Sequence, residues 1–287
     1  MLVELAVGDA YGAGFEYADA AFVRRYNDLS DYAKHPRHAL RPGCYTDDTQ
    51  MSLAIAALLV EKQPWTAENL AAKFVEVFRR DPRTGYAGGF YRFLKQVTSG
   101  AEFLERIRPD SDKSGAAMRA APLGVLASID DVLHQCEVQA RITHDTADGV
   151  AAAQAASLLS HFFVYKLGPR EQVGEFIEQH VSGQWTQPWR GEVGSRGWMS
   201  VRAAITATGQ SRSMSGLLRR CVAFGGDVDT VAAIALAAAA HSREIQQDLP
   251  ERLIQRLENG DYGRSYLQEL NAKLMKLVPR SSAAGDP

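Results

Sequence analysis

Two stretches of the chain are apolar on every side of a helix: residues 51–60, MSLAIAALLV, and residues 231–240, VAAIALAAAA. A helix with no polar face belongs at the centre of a protein rather than on its surface. Around them Ala, Leu, Glu, Gln and Arg dominate, and alternating runs of β-branched residues are scarce, which favours helix over strand. The pattern predicts helices at 2–10, 19–26, 49–62, 66–79, 87–98, 101–106, 115–128, 130–140, 145–167, 170–181, 196–208, 213–223, 229–243, 250–257 and 261–276. Turn residues punctuate the gaps, as in Arg41-Pro42-Gly43, Asp81-Pro82-Arg83 and Leu167-Gly168-Pro169. No strand hairpin, internal repeat or flexible linker stands out. The expectation is an all-α protein with a single compact domain over 1–278. A small polar tail over 279–287 is expected to be disordered, and Leu277-Val278-Pro279-Arg280 before it resembles a protease-cleavage site.

Composition narrows the class. The chain has 287 residues and a formal net charge of -2, so no basic field points to nucleic acid or an anionic membrane. Its three cysteines, Cys44, Cys136 and Cys221, are too few and too scattered for a disulfide framework or a zinc site. No basic stretch precedes the first apolar residues, and no apolar run is long enough to span a bilayer. A cytoplasmic globular monomer is expected.

Both central helices open on acidic, threonine-containing motifs, Thr46-Asp47-Asp48-Thr49 and Gly225-Gly226-Asp227-Val228-Asp229-Thr230. Ser, Thr and Asp cap helix N-termini, and carboxylates suit the positive end of the helix dipole. Capping alone accounts for one carboxylate per helix, not two. Each further buried carboxylate costs several kcal/mol unless it is paired, and neither motif contains Lys or Arg. Divalent cations balance such a surplus. Hard oxygen donors favour Mg²⁺, Mn²⁺ or Ca²⁺ over zinc. The second motif is no EF-hand, because Val231 holds the fifth loop position and no Gly follows it. Two close metal ions can hold a diol and lower the pKa of water. The residues alone thus give a metal-dependent hydrolase or lyase without a substrate.

Five stretches in order carry a resemblance that does name one. They are Gly8-Asp9-Ala10-Tyr11-Gly12 with Glu16, Tyr45-Thr46-Asp47-Asp48-Thr49, Gly115-Ala116-Ala117-Met118-Arg119, Thr143-His144, and Gly225-Gly226-Asp227-Val228-Asp229-Thr230. Over about residues 3–245 the chain resembles the ADP-ribosylglycohydrolase family. The resemblance implies a multi-helix orthogonal bundle around a binuclear Mg²⁺ or Mn²⁺ site. It implies Thr46, Asp47, Asp48, Asp227, Asp229 and Thr230 as metal ligands, and Glu16, Asp47 and Asp48 as catalytic residues. It also implies cleavage of the bond between ribose and an acceptor, most simply arginine on an ADP-ribosylated protein, with ADP-ribose as product. Adducts on serine, a nucleobase or a small molecule are alternatives. So is an inactive, crystallin-like ADP-ribose-binding relative, against which the full acidic set argues.

The loop Ser111-Asp112-Lys113-Ser114-Gly115 precedes a predicted helix, whose N-terminal N–H groups suit phosphate. With His144 it is the expected substrate-binding set. Lys113 and Ser114 depart from the Gly and Asn common there in the family. Asp9 is expected to brace the first helix, Arg119 to brace loops, and Cys44 to pack. Tyr86 and Trp198, from glycine-containing aromatic loops read as pocket rims, are candidates to stack on adenine or cover the acceptor group. The all-α isoprenoid synthases also use two acidic motifs, but Met51 stands where their third Asp would be.

Overall fold

Strong helix formers and few strand formers give a chain of helices. The computed structural model describes residues 1–279, and among them no strand is longer than an isolated bridge. The helices are α1 (Leu2–Ala13), α2 (Ala20–Tyr26), α3 (Asp47–Glu61), α4 (Ala67–Arg80), α5 (Gly88–Gln96), α6 (Gly100–Arg106), α7 (Gly115–Met118), α8 (Ile129–Arg141), α9 (Ala147–Tyr165), α10 (Val173–Glu178), α11 (Gly197–Gln210), α12 (Met214–Ala223), α13 (Val228–Ala239), α14 (Glu251–Arg256) and α15 (Arg264–Met275). None is long and apolar enough to cross a membrane. The tail predicted from 279 lies, after Pro279, outside the described residues.

The two helices predicted to be central are central. Every residue of α13 is buried, as is α3 from Asp47 to Leu59. α13 packs against α1, α9, α11 and α12, while α3 packs against α1, α4 and α15. The α1–α13 contact is the closest. A Cβ on Gly8 would stand 2.6 Å from the Ala232 carbonyl oxygen, and one on Gly12 would stand 2.4 Å from Asp229 Cα. Those two glycines, one turn apart, let two backbones touch where side chains would hold them apart.

Two predicted helices are broken. The stretch 115–128 holds one turn of α7 and then a 3₁₀ turn over Ala121–Val125, because Pro122 lacks the N–H that a continuing helix needs. The stretch 170–181 opens as a 3₁₀ turn at Arg170–Gln172 before α10.

Capping separates the central helices from their neighbours. Thr66, Ser99, Ser128, Thr146 and Ser213 each accept a backbone N–H at the start of their own helix. Thr46 and Asp227, at the N-caps of α3 and α13, do not. For α3 the task passes to a residue far away in sequence. Asp9, from the middle of α1 and fully buried, accepts the backbone N–H groups of Thr46 (2.9 Å) and Thr49 (3.0 Å). It also accepts their hydroxyls, at 2.7 and 2.6 Å. Asp9 therefore braces the start of α3 rather than the first helix. Asp47 and Asp48 are free of the capping role that was the simplest explanation for them.

Candidate active site

α1, α3 and α13 converge on one point, and their acidic residues meet there at the floor of a cleft of about 700 Å³. Asp47, Asp48, Asp227, Asp229 and Thr230 line it, together with Glu16 from the turn after α1. Carboxylate oxygens of Glu16, Asp227 and Asp229 come within 4.8 Å of one another. Thr46 lies behind Gly85, with its hydroxyl proton directed at Asp9. Both of its lone pairs stay available to accept.

The second motif is held by the stretch before α11. Val193 donates its N–H to Gly225 O and accepts from Asp227 N, both at 2.9 Å. Gly226 has φ +84°, and a Cβ there would stand 1.9 Å from Val193 O, so only glycine fits this turn. Tyr17 N donates to Gly226 O at 2.9 Å, and His35 Nε2 donates to Glu16 O at 2.8 Å, which fixes the Glu16 turn over the same motif. Ser200, on α11, donates to Asp227 Oδ2 at 2.9 Å.

The electrostatics are those of a site built for cations. Asp47, Asp48, Asp227 and Asp229 are all at least nine-tenths buried, and none forms an ion pair with Lys or Arg among the described residues. Burial raises all four pKa values. For Asp47 and Asp48 the next cause is the Asp9 carboxylate, and for Asp229 it is Glu16. Burial, then Asp227 and Asp9, raises Glu16 to about 7. Asp48 Oδ1 and Asp229 Oδ1 are buried and have no hydrogen-bond partner. Orphaned buried carboxylate oxygens of this kind are expensive unless something positive joins them. The donor set therefore fits a hard divalent cation.

Cations line the cleft as well, one of them, Arg106, paired with Glu102 at 2.6 Å. Arg106, Arg108 and Lys113 line it at exposed positions. Phe90 and Phe93, one turn apart on α5, form an apolar wall. The 110–115 loop is strapped on both sides. Ser114 N donates to Ser195 O (3.1 Å), Gly197 N to Asp112 O (3.0 Å), and Asp145 N to Pro109 O (2.6 Å).

Of the substrate-binding set expected from sequence, Ser111, Lys113, Ser114, Gly115 and His144 line the cleft. Asp112 does not, because it faces Arg196 at 3.3 Å. Neither expected stacking residue reaches the cleft wall. Tyr86 is buried, donates its hydroxyl to Gln50 Oε1 at 2.7 Å and meets the Phe78 ring edge-on, while Trp198 packs edge-on against Trp189. Phe90 and Phe93 hold that place, and sequence reasoning passed over them. Half-buried aromatics on an amphipathic helix look like core, and only the fold shows which cavity they face. The helix predicted at the phosphate loop shrinks to the single turn of α7.

Comparison with known proteins places the chain in a family. The ADP-ribosylglycohydrolase family model matches residues 1–284. The chain is 27% identical to the ADP-ribosyl-[dinitrogen reductase] glycohydrolase of Rhodospirillum rubrum, over 88% of this chain and 87% of that protein. It is 23% identical to the ADP-ribosylarginine hydrolase Tri1 of Serratia proteamaculans, over 81% and 67%. A solved structure described as an ADP-ribosylglycohydrolase-related protein complex superposes with a TM-score of 0.74 at 21% identity, covering 97% of this chain and 96% of that one, which supports the fold alone. With residues 1–284 of its 287 matched by one family model, the chain belongs to the ADP-ribosylglycohydrolase family of enzymes.

Proposed function

We propose that this enzyme hydrolyses the bond between ADP-ribose and an arginine side chain of a modified protein, with two divalent ions, Mg²⁺ or Mn²⁺, in its acidic floor. The observation that carries this reading is the buried cluster of Asp47, Asp48, Asp227 and Asp229. Among the described residues it has no ion-pairing Lys or Arg, it has two orphaned oxygens, and it shares one cleft with basic and aromatic side chains. Thr46, Asp47, Asp48, Asp227, Asp229 and Thr230 would hold the ions. Once bound, the ions supply positive charge that fixes the ribose hydroxyls and activates water.

The chain's own residues account for the rest. Arg106, Arg108 and Lys113 offer charge to the pyrophosphate. Phe90 and Phe93 offer ring faces to adenine. Glu16, at the edge of the acidic floor, is placed to take a proton from water or give one to the leaving group. Arginine is the acceptor named for one relative, an ADP-ribosylarginine hydrolase, and a second relative is named for an ADP-ribosylated protein, dinitrogen reductase. Three free cysteines accord with a cytoplasmic, reducing compartment.

The test is a panel of arginine-, serine- and nucleobase-linked ADP-ribose, with Mg²⁺ or Mn²⁺. Release of ADP-ribose from the arginine adduct, at least tenfold faster than from the others, is the expected result. Release from another adduct alone would move the acceptor. Tight ADP-ribose binding without any turnover would make the protein a binding module.

A further inference from the structure

Arg119 is 1% exposed, and no carboxylate pairs with it among the described residues. Its guanidinium donates instead to neutral oxygens: Nε to Gln139 Oε1 at 2.6 Å, and one terminal nitrogen to Gln139 O and Thr143 Oγ1, both at 2.9 Å. Its Cζ lies over the Phe74 ring, 4.6 Å from the ring centre. A guanidinium has donors only. At Thr143 Oγ1 the Arg119 bond therefore uses a lone pair, and the hydroxyl proton must go elsewhere. The group within reach is His144 Nδ1, at 2.7 Å.

Proton counting then determines the ring. If Thr143 donates to Nδ1, that nitrogen carries no proton, and in the neutral imidazole the proton sits on Nε2. Nε2 is buried and has no partner in the protein, and His144 lines the cleft. The opposite assignment leaves the Thr143 hydroxyl proton buried without an acceptor, at a cost of about 1–3 kcal/mol. Gly115 borders the Cε1–Nε2 edge of the ring, and a side chain there would crowd it. A Cβ there would stand 3.0 Å from His144 Cε1 and 3.3 Å from Nε2.

We infer that Arg119, acting through Thr143, is a positioning residue that fixes His144 in the Nε2–H tautomer, so that the cleft presents one neutral, aimed N–H donor to a ligand oxygen. The relay Arg119 to Thr143 to His144 orders three protons with one permanent charge. It also keeps a second positive charge out of the ring, because burial, and then Arg119, depresses His144 to about 3. The identity of the ligand oxygen, a pyrophosphate or ribose oxygen, rests on the function proposed above. The tautomer does not.

The test is a long-range ¹H–¹⁵N correlation spectrum of the full chain without ligand, with His144 assigned by its loss in His144→Asn. The expected spectrum shows a protonated Nε2 and a bare Nδ1 that accepts a hydrogen bond. In Thr143→Val the Nδ1 resonance moves and ADP-ribose affinity falls about tenfold, the value of one hydrogen bond. Thr143→Ser keeps both properties of the parent. In Arg119→Met the freed Thr143 oxygen can accept from the ring, and a population protonated on Nδ1 appears. A parent ring protonated on Nδ1 overturns the inference, as does an Nδ1 resonance unmoved by Thr143→Val. The parent spectrum alone decides it if the variants do not fold. If the tautomer is as expected and ADP-ribose does not bind, the proposed function fails and this inference stands.

Discussion

Asp9 and Thr46 lie 37 positions apart, yet the Asp9 carboxylate takes both the backbone N–H and the hydroxyl of Thr46. It takes the same two groups from Thr49, so one buried side chain sets where α3 begins. Asp9→Asn replaces an oxygen that accepts from these donors with an NH₂ that faces them. The expected loss of stability is roughly 2–5 kcal/mol, because buried donors lose a charged acceptor. Activity falls with it, since Asp47 and Asp48 ride on the same turn. Denaturant unfolding of the variant checks this, and an unchanged midpoint would show that the brace is dispensable.

Two glycines at the site differ in how much stability their substitution costs. Gly12→Ala forces a methyl into Asp229 Cα and so pries α1 from α13. It is expected to cost at least about 1–3 kcal/mol of stability, as overpacking does. Gly85 sits in an exposed loop with φ +104°, where a Cβ would stand 2.1 Å from Asp47 Oδ1. Gly85→Ala is expected to lower activity at least tenfold by displacing Asp47, with a smaller loss of stability than Gly12→Ala. Thermal melts beside initial rates give the comparison, and an active Gly85→Ala would contradict the placement of Asp47 at the reacting centre.

Metal stabilisation should grow with pH. A carboxyl whose folded pKa is raised contributes stability that is present below its ordinary value and lost as pH rises through the folded one. For Glu16 that window runs from 4.5 to about 7, and the aspartates shift in the same direction. Bound Mg²⁺ or Mn²⁺ offsets the repulsion that deprotonation leaves behind. The rise in melting temperature on adding metal to chelator-treated protein is therefore expected to be larger at pH 8 than at pH 5. An equal or reversed effect would argue against metal at these carboxylates.

His144 has the opposite sign. Its folded pKa of about 3 lies below the ordinary 6.5, so at intermediate pH the unfolded chain binds a proton that the folded chain does not. Its contribution is present above 6.5 and lost as pH falls toward 3. His144→Asn should lose less stability than the parent between pH 7 and pH 4, by roughly 1–3 kcal/mol. Paired unfolding curves at the two pH values measure the difference, and parallel losses would mean that the ring titrates freely.

The legible part of this protein is the part written in local chemistry. The absence of polar faces in 51–60 and 231–240 marked two core helices, and the carboxylates at their starts exceeded what caps require. What sequence could not show was which residue would relieve Thr46 and the aspartates of capping, because Asp9 acts across tertiary space. Phe90 and Phe93 were hidden for a related reason, since an aromatic facing a cleft and one facing the core follow the same periodicity. Tyr86 illustrates the converse: its glycine-rich surroundings read as a rim, yet its hydroxyl is tied to Gln50 inside the bundle. Pro122, by contrast, stood in plain sight within the helix predicted over 115–128, and its missing N–H should have ended that helix.

The central claim is that the two acidic motifs share divalent metal beneath an ADP-ribose cleft. A crystal grown with Mn²⁺ and ADP-ribose, with anomalous scattering recorded for manganese, tests it most directly. The account predicts two manganese peaks among Asp47, Asp48, Asp227 and Asp229. It also predicts ribose hydroxyls facing those peaks and the pyrophosphate turned toward Arg106, Arg108 and Lys113. Anomalous density absent from that cluster, or ADP-ribose bound away from it, would contradict the account.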